Sequence, residues 1–381
     1  MIYCDYAATT PMSDIALHVY QEVAKQHFGN ASSLHDAGGK ANDILENARK
    51  VIAKLLNSEA KEIVFTSGGT EANILAVDTL LRANRSKRSK HIITTMVEHS
   101  SLYYYMKKLA QQTDIEVTFL SVNTSGQISL SELEKSIQPN TCFASIQHVN
   151  GETGFIQPIK QIGELLHKYH ITFHSDMVQS FGKIAVEQLL PYVDCATISS
   201  HKVFGPKGIG AIYFSKNLSL APHPVATNHE HGLRPGTVNV PSIAAFAAAA
   251  LETVNNITNN HTHLLFLQKL FMQKLKSEGI PLQPITSENQ CPSIIGCISE
   301  HVYGDYLMLE YNRHGIAIST GSACSIGQSQ VPKAIQPLIN TQEEGKRFVR
   351  FSFSHQTTKN EIEKIIATST IIFKRLKEER Q

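Results

Sequence analysis

The 381-residue sequence predicts an α/β layered fold built on a mostly parallel sheet, followed by a smaller α+β unit. Three observations carry this. Seven short β-rich runs each end in a polar or glycine-containing loop: EIVFTSGGT, KHIITTMVEHS, IEVTFLSV, CFASIQHVN, ITFHSDMVQS, CATISSHK and GIGAIYFS. Between them lie stretches with apolar residues at helical spacing, as in residues 41–56 and 159–169. The chain is also too long for one average domain, at roughly 150 residues each, so two units are expected.

Taken in order, the first strand runs into FTSGGTEAN (65–73), whose last residue opens a predicted helix over 73–81. The remaining strands alternate with helical stretches. An apolar helix begins near Pro241, and the Asn-rich NNITNN (255–260) marks a transition. An amphipathic stretch then runs to about Gly279, followed by PSIIGCISE, the helix-like DYLMLEYNRHG, the segment AISTGSACSIGQSQ (317–330), VRFSFS and a charged helix from Lys359. No internal repeat or low-complexity tract is present.

Composition narrows the function classes. With 42% hydrophobic and 18% charged residues the chain reads as globular. Lys plus Arg number 35 against 33 Asp plus Glu, which gives no field for nucleic acid or an anionic membrane, so a small molecule or another protein is the expected partner. The basic RANRSKRSK (82–90) reads as a solvated loop. The start, MIYCDYAATTP, lacks the pattern of a signal peptide, and the longest apolar run, 243–251, is less than half of the roughly 20 residues that span a bilayer. A cytoplasmic location is expected. Six scattered cysteines without CxxC pairs predict buried reduced thiols, with Cys324 the exception, set among Gly, Ser and Ala.

Several residues stand where chemistry is expected, because ligands of such sheets sit beyond the carboxyl ends of the strands. Lys202, after Ser-Ser-His and before a Gly-Pro-Lys-Gly turn, is a Schiff-base candidate in a loop that can desolvate its ammonium. Gly69 and Thr70 at a strand-to-helix turn form a phosphate cradle, although such turns also use these residues for capping. Asp176 and Gln179 end a buried strand, where the carboxylate either caps the next segment or meets a protonated ring nitrogen. His99 is placed to stack on a ring or relay protons. No dinucleotide or Walker motif is present. His229 and His231 have no supporting metal pattern, and no metal is expected. Jointly, a lysine, a phosphate cup, a strand-end aspartate and a histidine meet the needs of pyridoxal 5'-phosphate.

The motifs DYAATTP, FGNASS, FTSGGTEAN, EHSS, HVNGETG, HSDMVQSFGK, SSHKVFGPKGIGA, RPGTVNVP, STGSAC and VRFSF occur in the order of the NifS/IscS type of cysteine desulfurase, within the class V aminotransferases. The chain resembles this family over essentially its whole length, and most of all its Bacillus-type NifS branch. The resemblance implies fold-type I, with a large domain of residues 14–255 around a seven-stranded sheet and a small domain of residues 1–13 and 256–381. It implies that Lys202 holds the cofactor and moves the substrate's α-proton, that Asp176 meets the pyridine nitrogen, and that Gln179 meets the ring oxygen. His99 would stack on the ring, and Gly69, Thr70, Ser199 and His201 would bind the phosphate, joined by Thr237 from the second subunit of a homodimer. Arg350 would clamp the substrate carboxylate with help from Asn30. Where the family has HVNNE this chain has HVNGE, which puts the contact of the second asparagine in doubt at Gly151: either Asn150 substitutes for it or the contact is lost.

The activity so implied converts L-cysteine to L-alanine, with the sulfur carried on Cys324 as a persulfide. The free thiol, with a pKa near about 8.5, would be activated near His99 or Lys202 on a mobile stretch over 322–330. The acceptor would be an iron–sulfur scaffold, a tRNA thiolation enzyme or quinolinate synthase. A selenocysteine lyase or another class V aminotransferase-type enzyme is the alternative activity, and a decayed, non-catalytic site the alternative class.

Overall fold

The structure is a computed structural model that describes residues 1–84, 89–320 and 331–379. Cys324, the stretch expected to be mobile and the middle of the basic segment lie outside the described residues. The chain opens with β1 (Ile2–Tyr3), α1 (Asp14–Gln26) and α2 (Asp36–Leu55). There follow β2 (Ile63–Thr66), α3 (Gly69–Ala83), β3 (Lys90–Thr95), α4 (Ser100–Leu109), β4 (Ile115–Leu120), α5 (Leu130–Lys135) and β5 (Thr141–Ser145). Next are α6 (Ile159–Lys168), β6 (Thr172–Asp176), β7 (Cys195–Ser199), β8 (Gly210–Phe214), α7 (Val240–Asn255) and α8 (Ile257–Ser277). The last part holds β9 (Leu282–Pro284), β10 (Ile294–Ser299), α9 (Gly304–Arg313), β11 (Ile316–Ala317), α10 (Gln342–Gly345), β12 (Phe348–Ser352) and α11 (Lys359–Glu378).

All seven predicted runs enter one sheet of order β2-β8-β7-β6-β5-β3-β4, parallel throughout except for β8, which is antiparallel to both β2 and β7. Strands β5, β7 and β8 are buried at every residue, which requires cover on both faces. One face packs Ile52 of α2, Ile162 of α6 and Phe246 of α7 against Phe173 and Ile198. The other packs Ala76 of α3 and Met106 of α4 against Phe143 and Ile212. A further core gathers Cys4, Phe271 of α8, Tyr311 of α9, Phe351 of β12 and Ile365 of α11 around the antiparallel sheet β12-β10-β9. β1 pairs with β11 in parallel, so the amino terminus packs with this second core. The transition expected at NNITNN is a near-continuous join of two helices at Asn256, with α7 in the first core and α8 in the second.

Two helices begin earlier than their periodicity suggests. α2 starts at Asp36, capped by His35, and Gly38 in its first turn lets the chain pack closely: a Cβ there would stand 2.2 Å from the Ser33 carbonyl oxygen. α3 starts at Gly69 rather than Asn73, and its N-cap Gly68 has φ 144°, a backbone that only glycine adopts without strain.

Candidate active site

The carboxyl ends of β2, β3, β5, β6 and β7 converge on a cavity of about 430 Å³. A wider cleft of about 750 Å³, lined by His167, Asp194 and Lys216, lies at the opposite edge, where β6 begins. It faces the carbonyl ends of the helices and is the poorer place for an anionic ligand.

The chemistry gathers around Lys202. Its Nζ donates to the carbonyl oxygens of Ala7 at 2.6 Å and Ala8 at 2.7 Å. Burial, reinforced by the charges of Lys183 and Arg350 and opposed by Asp5 and Asp176, lowers its ammonium to about 7. Lys202 therefore has a substantial free-amine fraction at neutral pH, as a nucleophile requires. The segment DYAATT does more than its sequence showed, since it also receives Gln179 Nε2 on the Ala7 oxygen at 2.9 Å and places Thr9 Oγ1 3.1 Å from His201 Nδ1.

Asp176, buried at the end of β6, accepts from Asn73 Nδ2 at 2.8 Å and from the Val178 amide at 2.9 Å. It therefore makes the local turn contact and still lines the cavity, so both readings of it apply. Asn73, itself buried and fixed by Thr197 Oγ1, orients this carboxylate. Sequence reasoning missed Asn73 because it read this residue only as the opening of a helix, where asparagine has an ordinary capping role.

At the opposite end, Gly69 and Thr70 begin α3. A Cβ on Gly69 would come within 3.1 Å of Val178 Cγ2, so only glycine leaves this cup open. The Ser199 hydroxyl beside it is buried without a partner, and so is that of Ser200. The Ser200 hydroxyl faces Gly205 instead, while the orphaned Ser199 hydroxyl beside the open amides of a helix start is an acceptor's complement, which phosphate supplies.

His99 caps α4, its Nδ1 accepting from the Ser101 amide at 3.2 Å and lying 2.8 Å from Ser101 Oγ. The residue is exposed and lines the cavity. Burial first, with Lys202 and Lys333 adding and Asp176 opposing, holds its pKa below the usual histidine value. The neighbouring Glu98 is buried, accepts from Thr95 Oγ1 and the Gln147 amide, and is pushed up to about 8 by burial.

Arg350 reaches the cavity from β12, where its Nη2 lies 2.6 Å from Asp5 Oδ1 and its Nη1 2.8 Å from the Gly151 carbonyl oxygen. Its buried Nε has no partner, leaving a donor for an incoming acceptor. Asn150 Oδ1 already accepts from Glu152, Thr153 and the Thr153 hydroxyl, and its Nδ2 donates to the Val97 carbonyl oxygen, so this side chain holds the turn. Asn30 and Thr237 are exposed and stand outside the cavity of a single chain. Glu152 and Lys183 also border this region. Burial raises Glu152 to about 7 and lowers Lys183 to about 8.

Residues 2–365 match the aminotransferase class-V family. The chain belongs to the class-V aminotransferase family. As a class-V aminotransferase relative it is a pyridoxal-phosphate protein, and the cup, the strand-end aspartate and the depressed lysine fit that cofactor. It is 44% identical to a putative cysteine desulfurase NifS of Bacillus subtilis (strain 168), an alignment covering 100% of this chain and 96% of that protein. Among solved structures it superposes on a NifS-like protein with TM-score 0.90 and 29% identity, covering 98% and 99% of the two chains. It also superposes on SspA in complex with cysteine with TM-score 0.81 and 30% identity, covering 94% and 100%. Among the described residues no helix is long and apolar enough to cross a membrane, and no group of His, Cys, Asp and Glu could hold a metal. The five described cysteines are buried.

Proposed function

We propose that this chain is a cysteine desulfurase, converting L-cysteine to L-alanine and carrying the sulfur on Cys324 as a persulfide. The observation that carries the reading is Lys202, buried and lowered to about 7, in one cavity with Asp176, the Gly69 cup and the Arg350 guanidinium. The relatives named cysteine desulfurase and the neighbour in complex with cysteine support it.

Lys202 and the cup of Gly69, Thr70, Ser199 and His201 would hold pyridoxal 5'-phosphate, with Asp176 to meet its ring nitrogen and Gln179 and His99 to contact its ring. When bound, the cofactor supplies an electron sink for the charge left at the substrate's α-carbon. Arg350 receives the substrate carboxylate, exchanging its contact with Asp5, and the Lys202 amine is the base that takes the α-proton. The Cys324 thiolate attacks the substrate sulfur: an S–S bond forms, the Cβ–S bond breaks with its electron pair passing to carbon, and protonation there yields alanine.

The same reading assigns residues 14–255 to a large domain and residues 1–13 with 256–381 to a small one, in keeping with the two cores. It makes the protein a cytoplasmic homodimer in which Thr237 completes the partner's phosphate cup. The sulfur acceptor is an iron–sulfur scaffold, a tRNA thiolation enzyme or quinolinate synthase. Incubation with L-cysteine and dithiothreitol is expected to release sulfide and alanine one for one. Pyruvate in place of alanine, or no turnover, overturns the reading.

A further inference from the structure

Beside Lys202 lies a second partly buried amine with no part in the mechanism above. Lys183 Nζ donates to Gln179 Oε1 at 2.7 Å, four residues back along the turn that follows β6. Gln179 Nε2 donates in turn to the Ala7 carbonyl oxygen at 2.9 Å, and that same oxygen accepts from Lys202 Nζ at 2.6 Å. An ammonium is a donor only, so the atom facing Lys183 must be the amide oxygen, and the amide nitrogen is thereby turned to Ala7 and the cavity. Gly151 adds an independent reason. A Cβ there would stand 3.1 Å from Gln179 Nε2, so an asparagine at this position would press on the amide. With glycine in its place, Gln179 is held from the Lys183 side.

We propose that Lys183 is a positioning residue for the cofactor-holding lysine: it fixes the Gln179 amide against the carbonyl shared with Lys202, and its charge beside Lys202 favours the free amine there. The inference rests on the reading of Lys202 as the lysine that holds the cofactor. The acceptor of Lys183 is a neutral amide, so its charge is not cancelled at close range. Burial lowers Lys183 to about 8, with Arg350 lowering it further and Cys291 opposing, which leaves it mostly protonated at neutral pH. The groups that act on Lys202 come from every side: Asp5 from the amino-terminal segment, Asp176 from β6, Lys183 from the turn after it and Arg350 from β12. His99 and His201 border the same cavity. Asp5 is paired with Arg350 at 2.6 Å, and Asp176 holds Asn73 and the Val178 amide and is placed at the cofactor's ring, so the charge of Lys183 is the one in this set that a substitution can remove without breaking an ion pair or disturbing a group already given a role.

The test is the reactivity of Lys202 in the cofactor-free protein. Acetic anhydride is applied from about pH 5.5 to about pH 10, and acetylation of each lysine is read by mass spectrometry, with exposed lysines as internal standards. Lys183→Met is expected to raise the midpoint of Lys202 reactivity by about one pH unit, and Lys183→Arg to restore it. If the methionine variant does not fold, Lys183→Gln gives the same reading. A midpoint unmoved in the uncharged variants overturns the proposal, and a role of Lys183 in packing alone gives that result. Borohydride reduction of wild-type protein with pyridoxal 5'-phosphate checks the underlying reading separately. A label on a lysine other than Lys202 sinks that reading, whatever Lys183 does.

Discussion

Ser199 shows how much a single side chain reveals once its surroundings are known. Its hydroxyl is buried with no partner inside the protein, so Ser199→Ala removes no internal hydrogen bond. Folding stability should therefore be unchanged within about 0.5 kcal/mol, while affinity for pyridoxal 5'-phosphate falls roughly tenfold, the worth of one hydrogen bond. Equilibrium dialysis and urea unfolding of the same variant check both halves. Lys202→Ala should abolish the borohydride-stable adduct and reduce turnover to background, and absorbance and turnover measurements decide it. Cys324→Ala should keep the cofactor absorbance and lose sulfide release. Sulfide at the wild-type rate would reassign the carrier.

Among the elements, the loop carrying Glu230 is held by an ion pair that the sequence did not reveal. Glu230 and Arg49 of α2 meet at 2.8 Å with both side chains almost wholly buried, and the Phe65 amide donates to the same carboxylate at 2.6 Å. Glu230 and His231 adopt φ of 45° and 57°, which side chains other than glycine rarely tolerate, so the pair holds a strained turn in place. Arg49→Met should cost about 3–5 kcal/mol in denaturant unfolding, because it leaves a buried carboxylate unpaired. The resemblance makes the segment HPVATNHEHG part of the active-site wall, with no metal. Instead its acid belongs to the core and its His229 lies 3.0 Å from Ser32 Oγ.

For the molecule as a whole, buried titratable groups set a window of stability. His148 and His174 are lowered to about 4 by burial, and in the unfolded chain they titrate near 6.5. Between those values the unfolded state binds protons that the native state refuses, so stability falls as the pH drops from about 6.5 to about 4, by roughly 3 kcal/mol per histidine. Glu98 acts at the other end. Raised to about 8, it stays protonated in the native state while the unfolded carboxyl ionises above about 4.5, so its contribution is lost as pH rises between those values. Glu98→Gln should therefore match the wild type near pH 4.5 and be the more stable of the two above about pH 8, as thermal unfolding across pH would show.

The sequence by itself determined the strands, their polar carboxyl ends and the residue types gathered there. Short β-rich runs and turn glycines are local signals, and a sheet that is parallel but for β8 places the other six of these ends on one side. Lys202, Asp176, Gly69 and His99 were legible for that reason. Tertiary structure alone decided which distant groups meet them. Ala7 and Ala8 lie almost two hundred residues from Lys202, and Asp5 lies 345 residues from Arg350. Asn73, Glu98 and Lys183 are polar residues in ordinary-looking contexts, and only burial gives them a part to play. A pKa, an orphaned hydroxyl and an amide's orientation depend on what surrounds a group in space, and no stretch of neighbouring sequence records that.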